Sequence, residues 1–308
     1  MLFEYAVSPD SLYEISKTRR DFSQFIKEFG IGKTKVISEF PKFKRYRKLA
    51  KVQFPKCDSD IHQARLEELI TFFERNLKVQ RFADYNGNLS WDANVNNEHL
   101  RVPFDELLRE STNANVRSLS LNNFCGGTDD IGKAETSVVV ERQAPKMCST
   151  LRGMLRLSQR IILIDPYWDD HRRYWSPLSD FIRTSLENRP GGHMTIEILY
   201  SDGSERQRQA APSKPSDLIK VFKDKFPELD KQCTISFISF SMPEGKPHNR
   251  YLLTDIGGIL SGSGFSESQD QPNDDFTLLG EKAYQHRWNE YANGTGYKTT
   301  ECACNISP

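Results

Sequence analysis

Long apolar runs are missing from this chain of 308 residues. No stretch approaches the roughly 18–20 apolar residues that cross a bilayer as a helix, so no membrane association is expected. The first residues, Met1-Leu2-Phe3-Glu4-Tyr5-Ala6-Val7, carry no basic start followed by a long apolar stretch, so no signal peptide is expected either. A surplus of either charge is also missing. The 42 Lys and Arg balance the 42 Asp and Glu, so nucleic-acid binding, if present, comes from a local patch. Cysteine is sparse. Cys57, Cys125, Cys148, Cys233, Cys302 and Cys304 are scattered, which excludes a disulfide framework. Cys302 and Cys304 lack a second ligand pair and read as reduced thiols near a frayed end. His62, His99, His171, His193 and His286 lack paired ligand spacing. Neither a metal nor a cofactor is expected, and the simplest location is the cytoplasm. Internal repeats and low-complexity segments are absent.

What is present changes character along the chain. The first half reads as helical. Ser11–Phe29 places Leu12, Ile15, Phe22, Phe25, Ile26 and Phe29 at helical spacing, and Asp58–Phe82 does the same with Leu66, Leu69, Ile70, Phe73 and Leu77. Pro103–Leu108 suggests a third, shorter helix. Between the first two lies a basic run with Lys33, Lys35, Lys42, Lys44, Arg45, Arg47, Lys48 and Lys51, Glu39 being its one acid. Phe40, Phe43 and Tyr46 are interleaved. Such a run can follow a phosphate backbone and offer rings for stacking, or it can be a solvated face whose rings pack inward.

From about Thr136, short β-rich runs alternate with helical stretches. Strands are expected at Ser137–Glu141, Ile161–Ile164, Thr195–Tyr200, Thr234–Phe240, Tyr251–Thr254, Gly258–Leu260 and Phe276–Leu279. Helices are expected at Met147–Leu157, Leu178–Leu186, Ser216–Phe226 and Gly280–Tyr291. Strands separated by helices imply an α/β domain with a largely covered sheet. A glycine-bearing loop at Asn122–Lys133 separates the halves. The expected organisation is a mainly helical N-terminal region over 1–130, an α/β domain over 131–295 and a flexible tail over 296–308.

The informative segment runs from Lys246 to Gly264 and spells His248-x-Arg250-x4-Asp255-x6-Gly262-Ser263. Residues i and i+2 of a strand share a face, so His248 and Arg250 would project together from a strand start. An imidazole can attack or transfer a proton, and a guanidinium offers a fixed cationic fork to phosphate. Gly257-Gly258 lets the chain reverse, and Gly262-Ser263 returns a small hydroxyl beside the pair. A second segment, Ile161-Ile162-Leu163-Ile164-Asp165-Pro166-Tyr167-Trp168, is an apolar strand stopped by proline. It leaves Asp165 and Tyr167 at its C-terminal end, where open α/β sheets bind ligands. Asp165 can equally cap the turn that follows. His171-Arg172-Arg173 could line an approach to that end or simply begin a solvated helix.

The first segment resembles the His-x-Lys-x4-Asp-x6-Gly-Ser signature of the phospholipase D superfamily, with Arg250 at the lysine position. The Asp-Pro-Tyr turn, and Asp274-Asp275-Phe276 followed by Trp288 and Tyr291, are similar to single-motif members of that superfamily, so the resemblance covers about residues 137–291. It implies a phospholipase D-like mixed sheet flanked by helices, preceded by the mainly helical N-terminal region. It also implies catalysis without metal or cofactor. His248 would be nucleophile or acid, Arg250 and Ser263 phosphate contacts, and Asp275 the acid that orients the histidine. Asp165, Tyr167 and Asp255 would support. Lys44, Arg45, Arg47 and Lys48 would hold nucleic acid. A single motif copy implies a homodimer that brings two His248 side chains together. Phe265 stands where active members often carry asparagine. The implied activity is a metal-independent phosphodiesterase acting on DNA or RNA, in the manner of antiviral-defence nucleases with a possible defence-system partner protein. The alternatives are a catalytically inactive module that binds nucleic acid, nucleotide or a partner, and a hydrolase of lipids or small phosphodiesters.

Overall fold

A computed structural model describes residues 1–110, 119–126, 134–203, 213–241 and 249–305. The chain divides into two compact units, the first built from residues 1–135 with 188–191 and the second from 136–187 with 192–308. Both are α/β.

The first unit runs β1 (Phe3–Val7), α1 (Pro9–Lys17), α2 (Arg19–Glu28), β2 (Lys35–Glu39), α3 (Phe43–Lys51), α4 (Asp60–Asn76), β3 (Leu77–Gln80), α5 (Trp91–Arg101), β4 (Glu106–Arg109), β5 (Leu119–Ser120) and α6 (Leu121–Gly126). The strands form one parallel sheet in the order β3-β2-β1-β4-β5. The alternation of β1 explains its two-sided burial. Tyr5 and Val7 enter one core with Leu12, Phe25, Leu66 and Phe73, while Ala6 enters the other with Trp91, Val95 and Phe104.

Helices lie within the two longer segments expected to be helical, and between them runs a parallel sheet that the sequence pattern does not show. Ser11–Phe29 is two helices, because Thr18 leaves the helical region and its side chain accepts the Asp21 N–H as an N-cap. The segment expected as a helix at Pro103–Leu108 ends in β4 instead. Leu107 and Leu108 face opposite cores, and a run apolar on both faces carries no period-2 signal. The expected 122–133 loop begins inside α6, and the rest of it lies outside the described residues.

A buried ion network ties this sheet to α5. Arg81 Nε and Nη2 donate to the two carboxylate oxygens of Glu4 at 2.8 and 2.5 Å. Its Nη1 donates to Glu98 Oε1 at 2.9 Å and to the Val102 carbonyl at 2.6 Å, and the guanidinium lies 3.7 Å from the centre of the Phe104 ring.

The second unit runs β6 (Ser137–Glu141), α7 (Ala144–Leu157), β7 (Arg160–Ile164), α8 (Arg172–Leu186), β8 (Thr195–Ser201), α9 (Pro215–Lys225), α10 (Pro227–Asp230), β9 (Thr234–Ser241), β10 (Arg250–Thr254), β11 (Gly257–Ser261), β12 (Asn273–Leu278), α11 (Glu281–Tyr291) and β13 (Lys298–Cys304). Its mixed sheet has the order β13-β9-β8-β7-β10-β11-β12-β6. The parallel trio β7-β8-β9 is linked through helices, and β10 adds antiparallel to β7. Ile161, Ile162, Leu163 and Ile164 are all buried, and each such side chain contributes roughly 1.5–3 kcal/mol. The expected strands and helices of this half are present. Within the segment expected as a flexible tail, Lys298–Cys304 form β13, which pairs antiparallel with β9, and residues 306–308 lie outside the described residues. The exposed Lys-Thr-Thr-Glu start of β13 offers no apolar alternation to read.

Candidate active site

Strand register builds the site. Tyr251 of β10 lies opposite Ile164 of β7, so the next residues outward, Arg250 and Asp165, fall side by side at the C-terminal end of β7. In the β10–β11 hairpin, Arg250 pairs with Ser261 and Thr254 with Gly257. The x4 and x6 spacers of the motif are therefore two paired strands, and Gly262-Ser263-Gly264 emerges directly beside Arg250.

Asp165 is buried, with its carboxyl held above the ordinary carboxylate value. Desolvation raises it, against the Tyr167 N–H and the charges of Arg250, Arg173 and Arg142. Its Oδ1 accepts the Tyr167 N–H at 2.9 Å and lies 3.9 Å from Arg250 Nε. Asp165 thus both caps the turn and faces the site. Arg250 Nη1 donates to the Gly262 carbonyl at 2.5 Å, and its guanidinium lies 4.5 Å from the centre of the Tyr167 ring. Tyr167 is in turn fixed by the Tyr174 hydroxyl, which donates to its carbonyl at 2.9 Å. Burial pushes the Tyr174 hydroxyl up to about 12, so it stays a donor.

The Gly-Ser loop is clamped from three sides. Ser263 N–H donates to Asp274 Oδ2 at 3.0 Å, and the Ser261 hydroxyl also bonds that carboxylate. Gly264 N–H donates to Ser261 Oγ at 2.7 Å. Arg142 Nη2 donates to the Ser263 carbonyl at 3.3 Å and to Ser266 Oγ at 2.8 Å. Burial lowers the Arg142 pKa, and the like charge of Arg250 lowers it further. Among the described residues, the half-buried Ser263 hydroxyl makes no hydrogen bond. Gly264 has φ +92°, and a Cβ there would stand 2.8 Å from Asp165 Oδ2, so only glycine lets loop and carboxylate approach this closely.

The structure brings Arg250, Ser263, Asp165 and Tyr167 together. His248 lies outside the described residues, two positions before Arg250. Asp275 is not part of the cluster. It is exposed in β12 and registers with Val139, while Asp274 holds the loop. A slip of one residue along a strand moves a side chain to the other face. Asp255 sits at the far end of the hairpin, where its Oδ1 accepts the Gln159 N–H at 3.0 Å. Phe265 is buried against Phe276 and Phe181 and belongs to the core. His171 caps α8. Arg142 and Tyr174 carry no local signal in sequence, and the Asp274-Asp275 pair does not say which carboxylate meets the loop; strand pairing decides it.

In the first unit, Lys44, Arg47 and Lys48 are exposed on one stripe of α3 together with Lys51. Arg45 is exposed beside Tyr85, donating to its carbonyl at 2.9 Å. The interleaved rings are not free for stacking. Tyr46 stacks on Phe73 at 5.0 Å, and Phe40 and Phe43 pack inward. Among the described residues, no helix is long and apolar enough to cross a membrane, and no three His, Cys, Asp or Glu side chains group to hold a metal.

No family model matches the chain, and no curated protein matches it. Solved structures similar to it include phosphatidylserine synthase of Haemophilus influenzae Rd KW20, at 15% identity and a TM-score of 0.33, covering 53% of this chain and 39% of that one. They also include TrmBL2, an archaeal chromatin protein described with a novel mode of DNA binding, at 13% identity and a TM-score of 0.28, covering 52% of this chain and 50% of that one. The chain spans half or less of the length of these two. Likeness at this level leaves function to the chemistry of the site.

Proposed function

We propose that the chain is a metal-independent phosphodiesterase of phospholipase D-like type that cleaves nucleic acid at the C-terminal end of β7. The observation that carries this reading is the pairing of Arg250 with a rigidly held Gly262-Ser263-Gly264 loop. A guanidinium fork and an unbonded hydroxyl stand together on a frame fixed by Asp165, Tyr167, Asp274 and Arg142. That is the equipment for gripping a phosphodiester as charge develops on its oxygens. His248, two residues earlier, supplies the nucleophile. Its ring nitrogen forms a P–N bond as the P–O bond to the leaving oxygen breaks. The leaving oxygen takes a proton from the His248 of a second copy, and water then releases the phosphoryl group from the first. The single motif therefore calls for a homodimer. The cationic stripe of Lys44, Arg47, Lys48 and Lys51 favours a polymeric phosphate substrate. A cytoplasmic nuclease of antiviral defence, working with a defence-system partner, fits this chemistry.

The test is cleavage of single- and double-stranded DNA and RNA in excess chelator, by the purified chain and by His248→Ala. Metal-free cleavage that disappears in the variant, by a protein with the mass of a dimer, is the expected result. A monomer with high turnover would sink the two-histidine scheme.

One observation favours a second reading, a non-catalytic module that keeps the phosphate site. Arg250 already donates to Gly262 and faces Asp165. Salt-sensitive nucleic-acid binding with no turnover would select it.

A further inference from the structure

We propose that the first unit carries a separate nucleotide pocket at the carboxyl edge of its parallel sheet, between the segments that follow β2 and β3. Parallel α/β sheets bind ligands outside the carboxyl ends of their strands. There this unit has a cavity of about 230 Å³, lined by Phe40, Pro41, Lys42 and Arg45 after β2 and by Arg81, Ala83, Asp84 and Tyr85 after β3.

The lining selects the ligand. Half-buried Tyr85 and Ala83 make an apolar wall, backed by Pro41 and by the buried Phe40, whose ring centre lies 5.8 Å from that of Tyr85. A flat heteroaromatic ring fits it, and the volume, below the roughly 300–1,000 Å³ of drug-sized pockets, suits one base and its sugar. Anion selectivity comes from the rim. Arg81 is matched inside the fold by Glu4 and Glu98, so its charge is balanced. Lys42 and Arg45 are exposed and, among the described residues, pair with no carboxylate. Arg45 spends one donor on the Tyr85 carbonyl, which fixes its guanidinium 5.2 Å from the centre of the Tyr85 ring and leaves its other N–H groups for a phosphate. Asp84, the one acid of the lining, can accept from a ribose hydroxyl or an exocyclic amine.

The face of α3 is thereby divided. Lys44, Arg47, Lys48 and Lys51 line the outer stripe, while Lys42 and Arg45 serve the cavity. The ligand is a base carrying phosphate, either a free nucleotide or one residue of a strand. This inference is independent of the phosphodiester site in the second unit.

The test measures binding of fluorescently labelled adenosine and guanosine monophosphates and of a labelled single-stranded RNA 12-mer. It uses the His248→Ala chain, so that the probe is not consumed. Saturable binding is expected. It should weaken at least about tenfold in Lys42→Ala/Arg45→Ala, which removes charge-assisted contacts from exposed positions, and should also be lost when Ala83→Trp fills the cavity. Circular dichroism would confirm that both variants fold. Mononucleotide binding that competes with the 12-mer identifies a free ligand. Binding of the 12-mer alone, with the same sensitivity to both variants, identifies a strand residue. Absence of saturable binding, or binding untouched by both variants but abolished by Arg250→Ala, overturns the proposal.

Discussion

Each unit buries part of an arginine, and the two do it differently. Arg81 is sealed, with two glutamates, backbone carbonyls and a phenylalanine ring occupying its whole fork. Arg250 keeps a side-chain exposure of 20%, against 0% for Arg81, and lies 3.9 Å from its buried carboxylate. A fully matched arginine holds a fold together. One held on a frame but left partly open is suited to meet an anion from outside. Charge alone does not separate the two; exposure does.

Substitutions sharpen that difference. The largest effect is expected from Arg81→Ala, which strands Glu4 and part of Glu98 in the core and should cost about 3–5 kcal/mol in chemical denaturation of the first unit. A loss below about 1 kcal/mol would mean that the network is as replaceable as a surface pair. Next comes Arg250→Ala, expected to lower cleavage by about 10²–10³-fold while shifting unfolding less than Arg81→Ala does. If the two variants destabilise equally and cleavage per folded molecule is unchanged, Arg250 is a second structural arginine. Gly264→Ala should follow at about 1–3 kcal/mol, from left-handed backbone strain and the close approach to Asp165.

The smallest effect is a pH dependence. Burial raises the Asp165 carboxyl above its ordinary value, so the fold prefers the protonated form. That contribution is fully present below the unfolded value and is lost as pH rises through the raised one. Asp165→Asn, always neutral, should therefore gain stability relative to the natural chain in the window that opens as pH rises above the ordinary carboxylate value of about 4. Melting curves that run parallel across that window would show that the three arginines outweigh desolvation.

The second unit was largely legible from sequence because its strands alternate with helices and its motif has a fixed geometry. The spacers between Arg250, Asp255 and Gly262 are strand lengths, so a linear pattern encodes a three-dimensional one. Spacing from Ser263 points to Asp275 but leaves the face undetermined, and pairing of β11 with β12 puts Asp274, not Asp275, against the loop. Arg142 is invisible for the same reason, since β6 reaches the site only through β12. The first sheet leaves little trace in the sequence because β1, β2 and β4 are short and largely buried on both faces, β2 reads as part of a basic run, and β3 follows α4 directly and reads as its end.

The position of β6 has a consequence for the order in which the chain can be built. All five strands of the first sheet lie within the first 120 residues, so that sheet is complete early during synthesis. Strand β6 is made next, yet its partner β12 begins only at Asn273. On a ribosome delivering roughly 5–20 residues per second, Val138, Val139 and Val140 wait unpaired for several seconds while the rest of the sheet is made. Such a delayed, long-range closure is the step at which a nascent chain is most open to mispairing and most in need of a chaperone.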